Sequence, residues 1–138
     1  MPSDRYRERL REVAGPALST SERIVAMLPF ATVPKLPKGP EGKVRFGIRQ
    51  SWRRYRPLVV TDRRLLIFDS GRTPTPRALL GSFPLADVVM GPVAPARWGA
   101  SHFTLILPGA GEVPFETGSR EVDDLAVLRQ RAVAAVHG

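Results

Sequence analysis

Apolar and polar positions alternate along this chain in a way that predicts short strands between two helices. Residues 4–14 place Tyr6, Leu10 and Val13 at i, i+4 and i+7, one face of an amphipathic helix that Gly15-Pro16 ends. A helix this short is marginal alone and needs a surface to dock on. Residues 22–33 are apolar and read as a strand with Pro29 at an edge or bulge, a helical turn being the competing reading. Residues 34–42 hold three prolines and two glycines and predict a loop. A loop of that length is either functional or disordered. Val44, Phe46 and Ile48 alternate with Arg45, Gly47 and Arg49, the period of a half-buried strand.

The clearest hairpin spans residues 56–69, with Asp62-Arg63 as a short polar connection. Both arms are continuously apolar, which predicts cover on both faces by a helix, another sheet or another subunit. Residues 77–83 and 85–93 read as two further strands with Pro84 between them, and 90–100 as a loop carrying Trp98. Phe103, Leu105 and Leu107, then Val113 and Phe115, alternate with polar positions across a Pro108–Gly111 turn, a second hairpin. Residues 119–136 predict the strongest helix, with Ser119 as N-cap and Glu121, Asp123 and Asp124 near its positive end. Arg129 and Arg131 follow, and Val122, Leu125, Leu128, Ala132 and Val136 form one apolar stripe. The expected class is α+β: mainly β with a C-terminal helix and a short N-terminal helix. Residues 1–19 read as a helical arm and 20–138 as one domain.

Length changes this picture little: 138 residues suit one domain, and 43% hydrophobic residues suffice for a core. Cysteine is absent, so disulfides, thiolate zinc sites and a cysteine nucleophile are excluded. No apolar run reaches the roughly 18–20 residues that span a bilayer. The first residues are charged where a signal peptide is apolar. The expectation is a soluble cytoplasmic protein, with a peripheral place at the inner face of the membrane as the alternative.

Charge adds more. The net charge is +8, and its distribution is uneven. Residues 1–34 hold five bases and four acids, 35–77 hold twelve bases and three acids, and 78–138 hold four bases and six acids. The middle segment alone is net +9. Such a one-sided field favours anionic partners. Eighteen of the 21 bases are arginine, and together with 14 prolines and 12 glycines this also fits GC-rich coding. Lys43, Arg45, Arg49, Arg53, Arg54 and Arg56 interleave with Phe46, Trp52 and Tyr55. If 44–56 is extended, Lys43, Arg45, Arg49 and Arg53 share one face. Arginine forks suit phosphate oxygens; a solvated face with arginine–aromatic stacking is the alternative. Trp52, Tyr55 and Trp98 are candidate interface residues.

Catalytic and metal chemistry find little support. His102 and His137 are the two histidines. Ser101 and His102 are neighbours on a predicted strand and point to opposite faces, so they form no nucleophile–base pair. Only a deep polar pocket converging on His102, Asp87 or Glu116 would indicate an enzyme. The acids at the start of the last helix have no His or Cys at ligand spacing, and Gly109-Ala110-Gly111 lacks the helix a phosphate-binding loop needs. No catalytic residue, metal or cofactor is expected.

The stretch Leu58-Val59-Val60-Thr61-Asp62-Arg63-Arg64-Leu65-Leu66-Ile67-Phe68-Asp69 resembles the signature hairpin of bacterial pleckstrin-homology-like domains, with Thr61 and Arg64 at the positions of its Thr-x-x-Arg turn. Phe83-Pro84-Leu85-Ala86-Asp87-Val88 and Phe115-Glu116-Thr117 are similar to two later segments of that family. The resemblance spans about residues 20–136; residues 34–56 depart from it. It implies a partly open barrel or sandwich of seven antiparallel strands, one end plugged by the C-terminal helix, and no catalytic residues. Bacterial members are mostly of unknown function, and some are similar to ring-forming oligomers. In eukaryotic relatives the phosphoinositide site lies around the first hairpin.

Two functions follow as expectations. The first is a non-catalytic adaptor docking on another protein or on copies of itself, motivated by the doubly apolar hairpin. The second is an electrostatic binder of an acidic membrane surface or nucleic acid, motivated by the basic segment. No small-molecule substrate is expected.

Overall fold

Alternate apolar side chains leave each strand two faces to cover, and the chain covers them differently in its two sheets. The computed structural model describes residues 2–33, 44–45, 48–49, 54–71 and 73–135. Helix α1 (Pro2–Ala14) runs into a 3-10 turn at Gly15–Ala17. Strands β1 (Ile24–Leu28) and β2 (Thr32–Val33) follow, then β3 (Val44–Arg45), β4 (Ile48–Arg49) and β5 (Arg54–Tyr55). The hairpin is β6 (Leu58–Thr61) and β7 (Arg64–Phe68), and β8 (Leu79–Pro84) extends it. After a 3-10 turn at Leu85–Asp87 come β9 (Val89–Met90), β10 (Ala94–Pro95), β11 (Ser101–Leu107) and β12 (Gly111–Thr117). Helix α2 (Val122–Arg131) and β13 (Val133–Ala134) close the described chain.

The first sheet is antiparallel in the order β1-β6-β7-β8, a β6-β7-β8 meander with β1 added beside β6. The second runs β13-β9-β11-β12-β2-β5, with β10 also pairing with β11. Between them lies the main core. Leu58, Val60, Leu65 and Ile67 from the first sheet meet Phe103, Leu105, Val113 and Phe115 from the second, with Leu125 and Leu128 of α2. Phe103 and Phe115 are cross-strand partners whose rings stack at 5.8 Å. The opposite parity of the hairpin, Val59, Leu66 and Phe68, packs with Met27 against Leu10 and Ala14 of α1. Both faces of the hairpin are therefore covered within one chain, as its composition requires, and α1 finds the surface its length demands.

Several expectations are corrected. The apolar stretch 22–33 is two strands in different sheets, because the chain turns at Pro29–Phe30. Residues 44–49 are not one strand: Val44 pairs antiparallel with Arg49 and Arg45 with Ile48, so the described residues form two strands. The strand expected over 77–83 starts later and carries through Pro84, which sits opposite Arg64 on a sheet edge, where a missing N–H costs no ladder bond. The strand expected over 85–93 shrinks to β9 behind a 3-10 turn, and the 90–100 loop contains β10.

The last helix is shorter than 119–136. Its first turn, Ser119–Glu121, is 3-10, and Gly118 rather than Ser119 precedes it as the cap. It stops at Arg131 because the next residues find better partners: Val133 N–H donates to Val88 O and Ala135 N–H to Met90 O. Of the predicted stripe, Leu125 and Leu128 are buried and Val122 is exposed. Ala132 lies past the helix, and Val136 lies outside the described residues. The described strands form no closed barrel; the architecture is mixed α+β.

Candidate binding surface

Thr61 and Arg64, the pair that carried the family resemblance, build the hairpin turn. Thr61 Oγ1 accepts the N–H groups of Arg63 (3.0 Å) and Arg64 (2.8 Å), fixing the two-residue loop. The same hydroxyl donates to Glu22 Oε2 at 2.6 Å. Arg64 grips Glu22 with both prongs, Nε to Oε2 at 2.9 Å and Nη2 to Oε1 at 2.6 Å, and Nη2 also donates to Ala17 O. Ser19 N–H supplies a further donor to Glu22 at 3.1 Å. The Arg64 hydrogen bond outweighs burial and lowers the Glu22 carboxyl from 4.5 to about 2, and Glu22 in turn raises Arg64. This network ties the α1–β1 link to the hairpin, so its side chains are committed to the fold.

Two further carboxylates hold amides of β1 and of the turn that follows it. Asp124 Oδ2 accepts Met27 N–H at 2.9 Å and the Arg7 guanidinium at 2.8 Å. Glu121 Oε2 accepts Phe30 N–H at 2.9 Å, and its Oε1 accepts Gly118 N–H at 3.2 Å. Edge amides that would template another strand are thus spent on α2 and the turn before it. Burial pushes the Glu121 carboxyl up to about 7, with Asp124 adding to the rise; the two N–H donors and Arg7 oppose it.

The predicted anion-binding residues divide. Arg56 is buried, its guanidinium 3.1 Å from Asp69 and donating to the Tyr55 and Ser70 carbonyls. It staples the 55–56 strand exit to the 69–70 corner. Lys43, Arg53 and Trp52 lie outside the described residues, as does His137. The backbones of Arg45 and Arg49 face each other's strands in the β3–β4 pair, so the single extended stripe does not form. Arg54 stands opposite Val33 on β5.

Register assembles a row that sequence reasoning did not. Tyr55 opposes Thr32, Thr32 opposes Glu116, and Glu116 opposes His102. Residues opposite one another share a face, so a phenol, a hydroxyl, a carboxylate and an imidazole cross the outer face of the second sheet, all half-buried. Asp87 is exposed on the 3-10 turn after β8 and is not part of the row. Beside the row, Phe30, Thr32, Tyr55, Ala100, Glu116 and Thr117 border a shallow cavity of about 290 Å³. Thr117 Oγ1 is buried there, with no hydrogen-bond partner among the described residues. Ala100, which also borders this cavity, directly follows the Arg97–Gly99 turn that carries Trp98, a side chain 93% exposed. Among the described residues no three acids or histidines cluster to hold a metal, and no helix is long and apolar enough to cross a membrane.

Comparisons with protein-family models and with curated proteins return no match to this chain.

Glu22, Glu121 and Asp124 were the polar residues least legible in advance. Glu121 and Asp124 looked like helix-dipole compensation, and Glu22 carried no motif. The one signal present was that Glu22 opens an apolar strand, where an acid needs a buried partner.

Proposed function

We propose that this protein is a non-catalytic binding module of pleckstrin-homology-like architecture that engages an anionic partner through the basic excursion between β2 and β6. Its strand order supports the architecture. An antiparallel sheet β1-β6-β7-β8 is followed by β9-β11-β12 and a helix, and the chain passes from the first sheet to the second between β1 and β2. Local charge carries the function. Residues 34–54 contain seven bases and one acid, whereas the described arginines Arg7, Arg56 and Arg64 each meet a carboxylate inside the fold. Six of the protein's eight surplus positive charges thus belong to this segment, which joins the paired strands β2 and β5.

Docking through the doubly apolar hairpin loses its motive, since α1 and the core already cover both faces. The test is flotation with anionic and neutral vesicles, beside a mobility-shift assay with DNA and RNA, each at low and physiological salt. Binding to an anionic surface that weakens steeply with salt is expected. Absence of binding to every polyanion at low salt overturns the reading.

A further inference from the structure

We propose that the cavity at the end of β12 receives the guanidinium of an arginine side chain on a partner protein, with Glu116, Thr117 and Tyr55 as hydrogen-bond acceptors and Trp98 as an apolar contact at its rim. The site uses none of residues 34–53, so it stands or falls apart from the anionic-partner reading.

Charge is the first ground. Between Gly111 and Asp124 the chain holds five acids and one base, Arg120, the reverse of its overall balance. Glu116 stands on the outer face of β12, opposite Thr32. Glu121 is 3% exposed and accepts the N–H groups of Phe30 and Gly118, two residues that border the cavity. Beside two carboxyl groups a cation is favoured and an anion is not.

Hydrogen-bonding polarity is the second. Three donors at the border are committed: Phe30 N–H and Gly118 N–H to Glu121, and the Thr32 hydroxyl to the Glu116 carbonyl at 3.4 Å. The Glu116 carboxylate, the Tyr55 phenol oxygen and the Thr117 hydroxyl accept. Thr117 is the last core-side position of β12, after Val113 and Phe115. Its Oγ1 is buried with no hydrogen-bond partner among the described residues. A buried hydroxyl is rarely left so, and a donor brought by a ligand would satisfy it. Guanidinium carries donors and no acceptor; its planar fork reaches several acceptors at once and stacks on rings such as Tyr55 and Phe30.

Size and surroundings are the third. About 290 Å³ is at the small end for a ligand site, room for one side chain rather than a cofactor. A single side chain needs further contact around it, and the rim supplies one. Ala100 borders the cavity and follows the Arg97–Gly99 turn, and a Cβ at Gly99 would lie 3.3 Å from Ser119 Cβ, next to Gly118. Trp98 therefore stands beside the cavity, 93% exposed, with its backbone in the left-handed region at φ 59°. Ala96 N–H donates to Ala100 O at 2.8 Å and closes the turn, so its backbone has little entropy left to lose on binding. Aromatic side chains presented in this way are the usual anchors of a protein interface.

The test is an NMR titration of the full chain with the capped peptide acetyl-Leu-Arg-Gly-amide, its lysine and citrulline counterparts, and free agmatine. Expected are amide shifts centred on Thr32, Tyr55, Glu116, Thr117 and Gly118 with the arginine peptide, weaker ones with lysine, and none with citrulline, which keeps the shape and loses the charge. Thr117→Val removes the hydroxyl at nearly constant volume. It should leave the thermal melt unchanged or higher and weaken the peptide about fivefold or more. Glu116→Gln should weaken it about tenfold or more, and Trp98→Asn, which tolerates the left-handed backbone, about threefold. No shift at millimolar arginine peptide, shifts centred elsewhere, equal binding of citrulline, or full affinity in folded Thr117→Val overturns the proposal. Agmatine binding as tightly as the peptide overturns it too, assigning the cavity to a free small amine. Vesicle and nucleic-acid binding are read separately, so the loss of one reading leaves the other standing.

Discussion

Glu22 and Arg64 hold each other in a fork beneath the hairpin turn, so removing one strands the other in the interior. Arg64→Met is expected to cost about 3 kcal/mol, the usual penalty for leaving a buried charge unpaired, read as a lower urea midpoint at pH 7. The pH dependence has a definite sign. Glu22 ionises at about 2 in the fold against an ordinary 4.5, so its contribution is complete above pH 4.5 and is lost as pH falls towards 2. Glu121 works the other way. Its folded value of about 7 lies above 4.5, so the fold carries an unfavourable buried charge above pH 7 and sheds it as pH falls towards 4.5. Glu121→Gln keeps an acceptor oxygen for Phe30 N–H and removes the charge. It is expected to raise stability at pH 8 by about 2 kcal/mol and to flatten the profile between pH 5 and 8. Unfolding curves across that range decide it; an unchanged slope would show that burial does not control this carboxyl.

At the scale of elements, α1 is a lid on one sheet. Leu10 and Ala14 are fully buried against Val59, Leu66 and Phe68, and Tyr6 meets Phe30 edge-on at 5.5 Å. Leu10→Ala should destabilise by about 2–4 kcal/mol through reduced burial and the cavity left behind. It should also raise binding of a hydrophobic dye, because the hairpin's outer face opens. A variant that loses stability without new dye binding would mean the lid stays in place. The 101–117 hairpin was legible because period-2 patterning there agrees with a short turn, and the 56–69 hairpin because two unbroken apolar runs flank a short polar connection. The stretch 22–33 was not, because an apolar run contains no signal for crossing from one sheet to the other. Nor was the end of α2: Ala132-Val133 continues a helical stripe as written, and the Val88 and Met90 carbonyls make extension preferable. The Tyr55–Thr32–Glu116–His102 row was hidden for the same reason. It joins four strands distant in sequence, and register is a tertiary fact.

For the whole molecule, arginine serves two separable ends, and substitution should pull them apart. Arg56 and Arg64 meet Asp69 and Glu22 within the fold, at 3.1 and 2.6 Å. The bases of residues 34–54 sit in a segment with a single acid. Replacing Arg45, Arg49, Arg53 and Arg54 together by glutamine removes four charges from that segment. Affinity for an anionic surface should then fall. On duplex nucleic acid the slope of log affinity against log salt should shrink by up to about 0.9 for each phosphate no longer neutralised, and binding to anionic lipid should weaken comparably. The melting temperature should hold within a few degrees, since the core packs around other residues. Arg64→Met should do the reverse, lowering the melting temperature while the salt slope of the remaining folded protein stays as it was. Genome composition alone would produce arginines without this division, and then the quadruple variant would bind as the parent does. Salt-titrated binding and thermal melts on the same two proteins therefore separate a selected basic surface from a compositional one.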